Sequence, residues 1–217
     1  MSNRTTLILG GILLGLSFLV ALTVYPQLPD PAASHWGANG EVNGYMSAFW
    51  AAFLMPLMTT GLFLLLMAVP SIDPLKANIA QFRGIYNTFI VLFLVYMLYI
   101  YALTLAWNLG YNNFDMGQAM LPAMSLFFIF LGVLIGRAKR NFFIGIRTPW
   151  TLSSDTVWAK THALGSKLFI GAGILSLLSI PLGENGMWVM MLLILVAAVI
   201  PIVYSYVLWK REISTQA

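Results

Sequence analysis

Asn141-Phe142-Phe143-Ile144-Gly145-Ile146-Arg147-Thr148-Pro149-Trp150-Thr151-Leu152-Ser153-Ser154-Asp155-Thr156-Val157-Trp158-Ala159-Lys160-Thr161-His162 is a long polar break in a chain that is otherwise almost continuously apolar. Pro149 fixes its own φ and pushes Thr148 toward an extended conformation, so no helix runs through the middle of the stretch. Gly145 permits a bend upstream. Ser153 or Ser154 then caps a new helix, with Asp155 in its first turn against the positive end of the dipole. Val157, Thr161, Leu164 and Leu168 recur at spacings of three and four, which predicts helix from about Ser154 into the apolar run that follows. Gly165, Gly171 and Gly173 permit a bend in it. Trp150 and Trp158 suit the headgroup layer, where an apolar ring with one polar N–H is best accommodated. By physics alone, the stretch is an interfacial loop between two membrane spans.

Outward from this break, the composition is that of a membrane protein: 217 residues, 60% hydrophobic and 8% charged. Runs long enough to cross a bilayer fall at 7–25, 48–69, 85–109, 119–135, 168–182 and 187–209. The fifth is the shortest, so an interfacial helix is expected to lead into it from the polar break. Residues 7–25 have no small-residue cleavage site and are expected to stay as a span. Six spans put both termini on one side. All 11 Lys and Arg then fall on that side, and the opposite loops carry only Asp30, Glu41, Asp115 and Glu184. By the positive-inside rule the termini are expected in the cytoplasm. The net charge of +4 accordingly reflects insertion and anionic headgroups, not direct nucleic-acid binding. With no cysteine, there is no disulfide, thiol nucleophile or thiolate metal site. A prokaryotic plasma membrane is the simplest setting.

Gly11 and Gly15 in the first run, and Gly132 and Gly136 in the fourth, form Gly-x-x-x-Gly pairs that let helices approach closely. The outer loop 26–47 is rich in Pro, Gly and Asn, with turn signals at Asn39-Gly40 and Asn43-Gly44, and is expected to be ordered over the helix ends. His35 and Glu41 are two metal-type ligands, too few to define a site. On the inner side, Asp73-Pro74 reads as a cap and first helical position. The third run is the most polar, with Tyr86, Asn87, Tyr96, Tyr99, Tyr101, Thr104 and Asn108. Groups of that kind inside a membrane need partners. No ionisable Asp, Glu, Lys, Arg or His lies well inside any run, which argues against an ion-coupled transporter.

Two motifs carry a resemblance. Asn141 to Leu152, followed by Val157-Trp158-x-Lys160-Thr161-His162, resembles the signature of the SdpI family, membrane immunity proteins against the sporulation-delaying peptide toxin. Upstream, Leu28-Pro29 and His35-Trp36-Gly37-Ala38-Asn39-Gly40-Glu41-Val42-Asn43-Gly44-Tyr45 are similar to the motif of the small DUF1648-like membrane domain that often precedes it, with Asn43 where that pattern has Asp. The resemblance implies an all-α, six-helix protein with an upstream membrane domain at 1–70 and an SdpI-like domain at 71–217, packed as one bundle. It implies protection against, or sensing of, a membrane-active peptide on the outer side, with a cytoplasmic transcriptional repressor as a partner and lipids around it. The residues it marks are Asn141, Gly145, Arg147, Thr148, Pro149, Trp150, Asp155, Trp158, Thr161 and His162 in the inner loop, and Pro29, His35, Asn39, Gly40, Glu41, Asn43, Gly44 and Tyr45 in the outer one. It implies no catalytic residue, cofactor or metal.

Two further classes remain open on sequence. A small-molecule or lipid transporter would use the polar third run. A membrane-embedded enzyme would use Arg147, Asp155 and His162 at the cytoplasmic face, Asp155 and His162 standing two helical turns apart. Arg147 itself is expected to clamp unpaired carbonyls at helix ends with its planar fork. The charge pattern makes a direct prediction. Single cysteines at Ala38 and Asn112 will react with a membrane-impermeant thiol reagent on whole cells, and cysteines at Ala77 and Ser154 will not. External labelling at Ser154 would overturn both the orientation and the count of six.

Overall fold

The computed structural model describes residues 1–216. In order, the chain forms α1 (Asn3–Val24), β1 (Ala32–Trp36), β2 (Val42–Met46), α2 (Ala48–Ile72), α3 (Lys76–Gln81), α4 (Arg83–Asn108), α5 (Met116–Arg137), α6 (Pro149–Ser153), α7 (Asp155–Leu178) and α8 (Glu184–Gln216). Six of these helices, α1, α2, α4, α5, α7 and α8, are long and apolar enough to cross a membrane. The protein is an all-α polytopic membrane protein, as its apolar runs predict.

The fifth span forms as its periodicity predicts. The interfacial stretch and the short apolar run are one helix of 24 residues, about 36 Å long and sufficient for a bilayer core of about 30 Å. Ser154 caps it by accepting from Val157 N, as its sequence predicts. The helix is unbroken through Gly165, which is packed under Ile146 and Pro201. It stops at Leu178, before a 3-10 turn over Ile180–Leu182 that contains Pro181. Only α6, a single turn, precedes it as a separate helix.

Packing sorts the spans into two sets of three. α1, α2 and α4 pack on one another, α5, α7 and α8 do likewise, and α4 and α5 join the sets. Small residues set the closest approach. A Cβ on Gly132 would stand 2.9 Å from backbone atoms of Ser166 and Ile170, and one on Gly173 2.7 Å from Ser125 O. The glycine pair of α5 is therefore a contact with α7. The pair in α1 is not an internal contact: nothing lies within 4 Å of a Cβ on Gly11 or Gly15, and it is Gly10 that faces a neighbour, Phe63 of α2.

Three tyrosines of α4 are staples between helices, while Thr88 and Thr104 bond back to carbonyls of α4 itself. Tyr86 OH donates to Leu66 O at 2.7 Å and Tyr101 OH to Ala52 O at 2.7 Å. Tyr99 OH donates to Ala119 O at 2.7 Å. The space left between α1, α2 and α4 is about 10 Å³, at the lower limit for one water. At one end of α4, Arg83 and Asn87 both donate to Asn3 Oδ1, and the N-terminal amine donates to Gly84 O at 3.1 Å. Ser154, at the start of α7, donates to Glu212 near the end of α8 at 3.0 Å. Met1 and Glu212 thus lie at the same end of the bundle.

At the opposite end, the ordered outer loop is a β-hairpin, which the turn signals announced without its strands. Register shifts between Ala33, His35 and Trp36 break the period-two pattern by which strands are read. Gly40 has φ +76°, a left-handed turn conformation that favours glycine. Asn108, at the end of α4, holds the hairpin by both faces of one residue: Ala33 N donates to its Oδ1 at 2.7 Å, and its Nδ2 donates to Ala33 O at 2.9 Å. Trp36 stands edge-on to Trp107, 5.8 Å between centroids.

These contacts predict opposite outcomes for two glycine substitutions. Gly132→Ala must force α5 and α7 apart and cost about 1–3 kcal/mol. Gly11→Ala will be neutral or gain up to about 1 kcal/mol from helix propensity. Thermal unfolding in detergent separates them, and equal midpoints would refute the α5–α7 contact.

Candidate functional site

The inner polar stretch is built on Asn141, which is fully buried. Its Nδ2 donates to Lys139 O at 2.7 Å and Ile144 O at 2.9 Å, and its Oδ1 accepts from Phe143 N at 2.9 Å and Ile144 N at 2.6 Å. Two donors and two acceptors are the whole capacity of an amide side chain. This folds residues 139–144 into a compact turn where α5 has ended and the backbone has no helical partners. Asp73, 2% exposed at the end of α2, accepts from Phe142 N at 2.9 Å and Leu75 N at 2.6 Å. Asp73 is therefore not the cap of α3, whose cap position is Leu75. It pins the turn to the α2–α3 junction. Asn78 Nδ2 adds a bond to Arg140 O at 2.8 Å.

His162 and Trp158 hold the next segment from below. Their rings stack with centroids 3.9 Å apart. Trp158 Nε1 donates to Ala138 O at 2.9 Å. His162 Nδ1–H donates to Trp158 O at 2.9 Å, and its Nε2 accepts from Ile146 N at 3.0 Å, so the pattern fixes a neutral ring protonated at Nδ1. Gly145, at φ +114°, passes so close over this ring that a Cβ there would overlap His162 Nε2. Thr148 and Thr151 close the capping box of α6: Thr151 N donates to Thr148 Oγ1 at 3.1 Å, and Thr148 N to Thr151 Oγ1 at 2.9 Å. Pro149 occupies the first turn of α6, where its missing N–H costs nothing. Thr148 also meets Ser205 of α8 at 3.0 Å, and Trp150 packs on Tyr206 with 5.0 Å between centroids. Thr161 is fully buried, and its hydroxyl has no hydrogen-bond partner.

Arg147 does not clamp helix ends as expected. It is exposed and makes one bond, Nη1 to Phe142 O at 2.7 Å. The carbonyls it was expected to seek are taken, Ala138 O by the Trp158 indole and Lys139 O by Asn141. Nor do Arg147, Asp155 and His162 converge. Asp155 pairs with Arg140 at 2.8 Å on the surface, and His162 is committed to Ile146 and Trp158. The three side chains therefore share no cleft. Below Arg147, a groove of about 370 Å³ opens between α5, α7 and α8, walled by Leu131, Leu134, Phe169, Ala198 and Ile202.

At the other end, the second set of motif residues makes the hairpin. Pro29 precedes β1, Asn39 and Gly40 form the turn, and Asn43, Gly44 and Tyr45 lie on β2. Glu41 accepts from Asn39 Nδ2 at 2.8 Å, and His35 Nδ1 donates to Asn43 Oδ1. The two metal-type side chains thus take separate partners. Among the described residues, no three His, Asp or Glu side chains gather as metal ligands would.

The sequence reading missed Asp73 as an anchor, along with Asn78, Arg140, Ser205 and Glu212. Asp73 carried a signal: it is one of three carboxylates on the side that holds every Lys and Arg. Ser205 and Asn78 carried none.

Six membrane-spanning helices, with a hydrogen-bonded clasp at one end and a hairpin at the other, define a polytopic helical membrane protein. Residues 137–205 match the SdpI/YfhL protein family, and residues 12–60 match a domain of unknown function, DUF1648. The immunity protein SdpI of Bacillus subtilis (strain 168) is 29% identical over 202 residues, 92% of this chain and 94% of that relative. No solved structure matches. The chain is thus similar to SdpI-family proteins, with a DUF1648-like segment upstream, and is a multi-pass protein of a bacterial plasma membrane.

The clasp predicts which changes matter locally. Asn141→Asp keeps both acceptors but replaces Nδ2, the source of both donors, with one oxygen facing Lys139 O and Ile144 O, at a cost of about 2–4 kcal/mol. Arg147→Lys, at an exposed single bond, should stay within about 0.5 kcal/mol. Unfolding midpoints, with limited proteolysis of residues 139–150, will show the difference; equal effects would refute the clasp.

Proposed function

We propose that this chain is an integral membrane immunity protein that protects its cell against a membrane-active peptide. The observation that carries the reading is the likeness to an immunity protein along 92% of the chain, with both motifs forming ordered polar structures at opposite ends of the bundle. The positive-inside pattern supports placing the clasp and both chain ends in the cytoplasm and the hairpin outside. In this reading the hairpin meets the peptide. The clasp, with Arg147 free at its surface, meets a cytoplasmic transcriptional repressor, so that signalling accompanies protection. The segments 1–70 and 71–217 work as one unit, with α4 packed on the first and carrying the second. On the side of α4 that faces α1 and α2, the tyrosine staples and the small space left there favour this over a transport path.

The test is a toxin challenge. Sensitive cells expressing the chain will survive a membrane-active peptide toxin at doses that kill cells with the empty vector. Asn141→Asp will reduce survival only in step with its abundance in the membrane. Arg147→Gln, equally abundant, will still protect but will no longer co-purify a cytoplasmic repressor. Equal killing with and without the chain would sink the reading.

A further inference from the structure

The hairpin has two long edges, and the protein treats them differently. The edge of β1 is turned to the bundle. It packs against α2 and α4, and the Asn108 amide pairs with both backbone groups of Ala33, as a neighbouring strand would. The outer edge of β2 has no such partner. No strand or side chain among the described residues bonds to it, and the backbone bonds of Val42–Met46 are those to β1. An open edge is a template for another chain, and proteins blunt it with lysine or proline where pairing is unwanted. β2, Val-Asn-Gly-Tyr-Met, has neither. Asn43 and Tyr45 both stand exposed on one face, Tyr45 at 63%.

The charge around this edge has one sign. The segments at this end of the bundle carry Asp30, Glu41, Asp115 and Glu184 and no Lys or Arg. Asp115 is brought to the hairpin itself, its carboxylate lying so close to Gly40 that a Cβ there would overlap Oδ2. Glu41 begins the approach to β2, and its carboxylate is exposed.

We propose that the outer edge of β2 is a docking edge for an extended, cationic peptide segment, which adds as a third antiparallel or parallel strand beside Val42–Met46. The five residues of β2 span about 17 Å, which matches a partner segment of similar length. Main-chain hydrogen bonds supply affinity that depends little on sequence, and the carboxylates select for positive charge. Such a site recognises a class of peptides by conformation and charge. The inference rests on the reading of the chain as a guard against an incoming peptide, and it names the surface that meets that peptide.

The experiment uses the full chain in nanodiscs of zwitterionic phosphatidylcholine, with a fluorescein-labelled decapeptide of alternating lysine and valine as the probe. Fluorescence anisotropy is expected to show saturable binding. The same peptide N-methylated along one edge should bind at least about tenfold more weakly, since it loses the main-chain bonds. A glutamate–valine peptide should not compete. Glu41→Gln should weaken binding about threefold to fivefold, the effect of one exposed charge. Because the chain has no cysteine, Tyr45→Cys gives a single attachment point beside the edge. Coupling a bulky maleimide there after folding should abolish binding that the uncoupled variant retains. Failure of the lysine–valine peptide to bind, or equal binding by the N-methylated peptide or the maleimide-blocked protein, overturns the proposal. Binding at the edge by a chain that gives cells no protection would instead sink the immunity reading and leave the docking edge standing.

Discussion

Asn141 sets the conditions for the inner half of this protein. Backbone that leaves a helix near a membrane has amides and carbonyls that neither lipid nor a neighbouring strand will satisfy. The Asn141 amide meets four of them at once, and Asp73, Trp158 and His162 meet most of the others. The turn is therefore a fixed object carried on α2, α5 and α7. Once it is fixed, Gly145 must run over the imidazole, and Thr148 must present its hydroxyl to α8. The motif residues are less a set of ligands than a set of partners for one another.

The same accounting explains the rest of the bundle. Every tyrosine staple of α4 ends on a carbonyl of another helix, in a medium where an unpaired hydroxyl is costly. Close approach between α5 and α7 depends on glycines and a serine, not on large apolar side chains, as expected where lipid is as apolar as leucine. Charges lie mostly toward the helix ends, Lys160 and Lys167 within α7 being the exceptions, and the one ion pair among the described residues, Arg140 with Asp155, is partly exposed and adds little stability.

The spans were legible in the sequence because a bilayer imposes a length and a composition on each of them. The Ser154 cap and the continuous helix from Asp155 were legible because capping and 3.6-residue periodicity are local signals. The hairpin strands were not, since five-residue strands with a shifted register leave too little period to read. The carbonyl partners of Arg147 were not legible because competition for carbonyls is not local. Nothing near Arg147 in the chain says that the Trp158 indole already holds Ala138 O. Asp73 and Asn78 lie more than sixty residues before the turn they hold, so no window on the sequence brings them together.

The hairpin is fastened to Asn108, the last residue of α4, and the first turns of α4 are fastened to the N-terminal residues through Arg83 and Asn87. Between them runs an unbroken helix of 26 residues, about 39 Å, with no proline in it. The helix is stiff along its axis, unlike α2, α5 and α8, which each contain a proline. A push on the hairpin along the membrane normal is therefore delivered, as through a rod, to the far end of the bundle. There the rod presses on the N-terminus and, through Phe82 and the short α3, on the segment that carries the Asn141 turn.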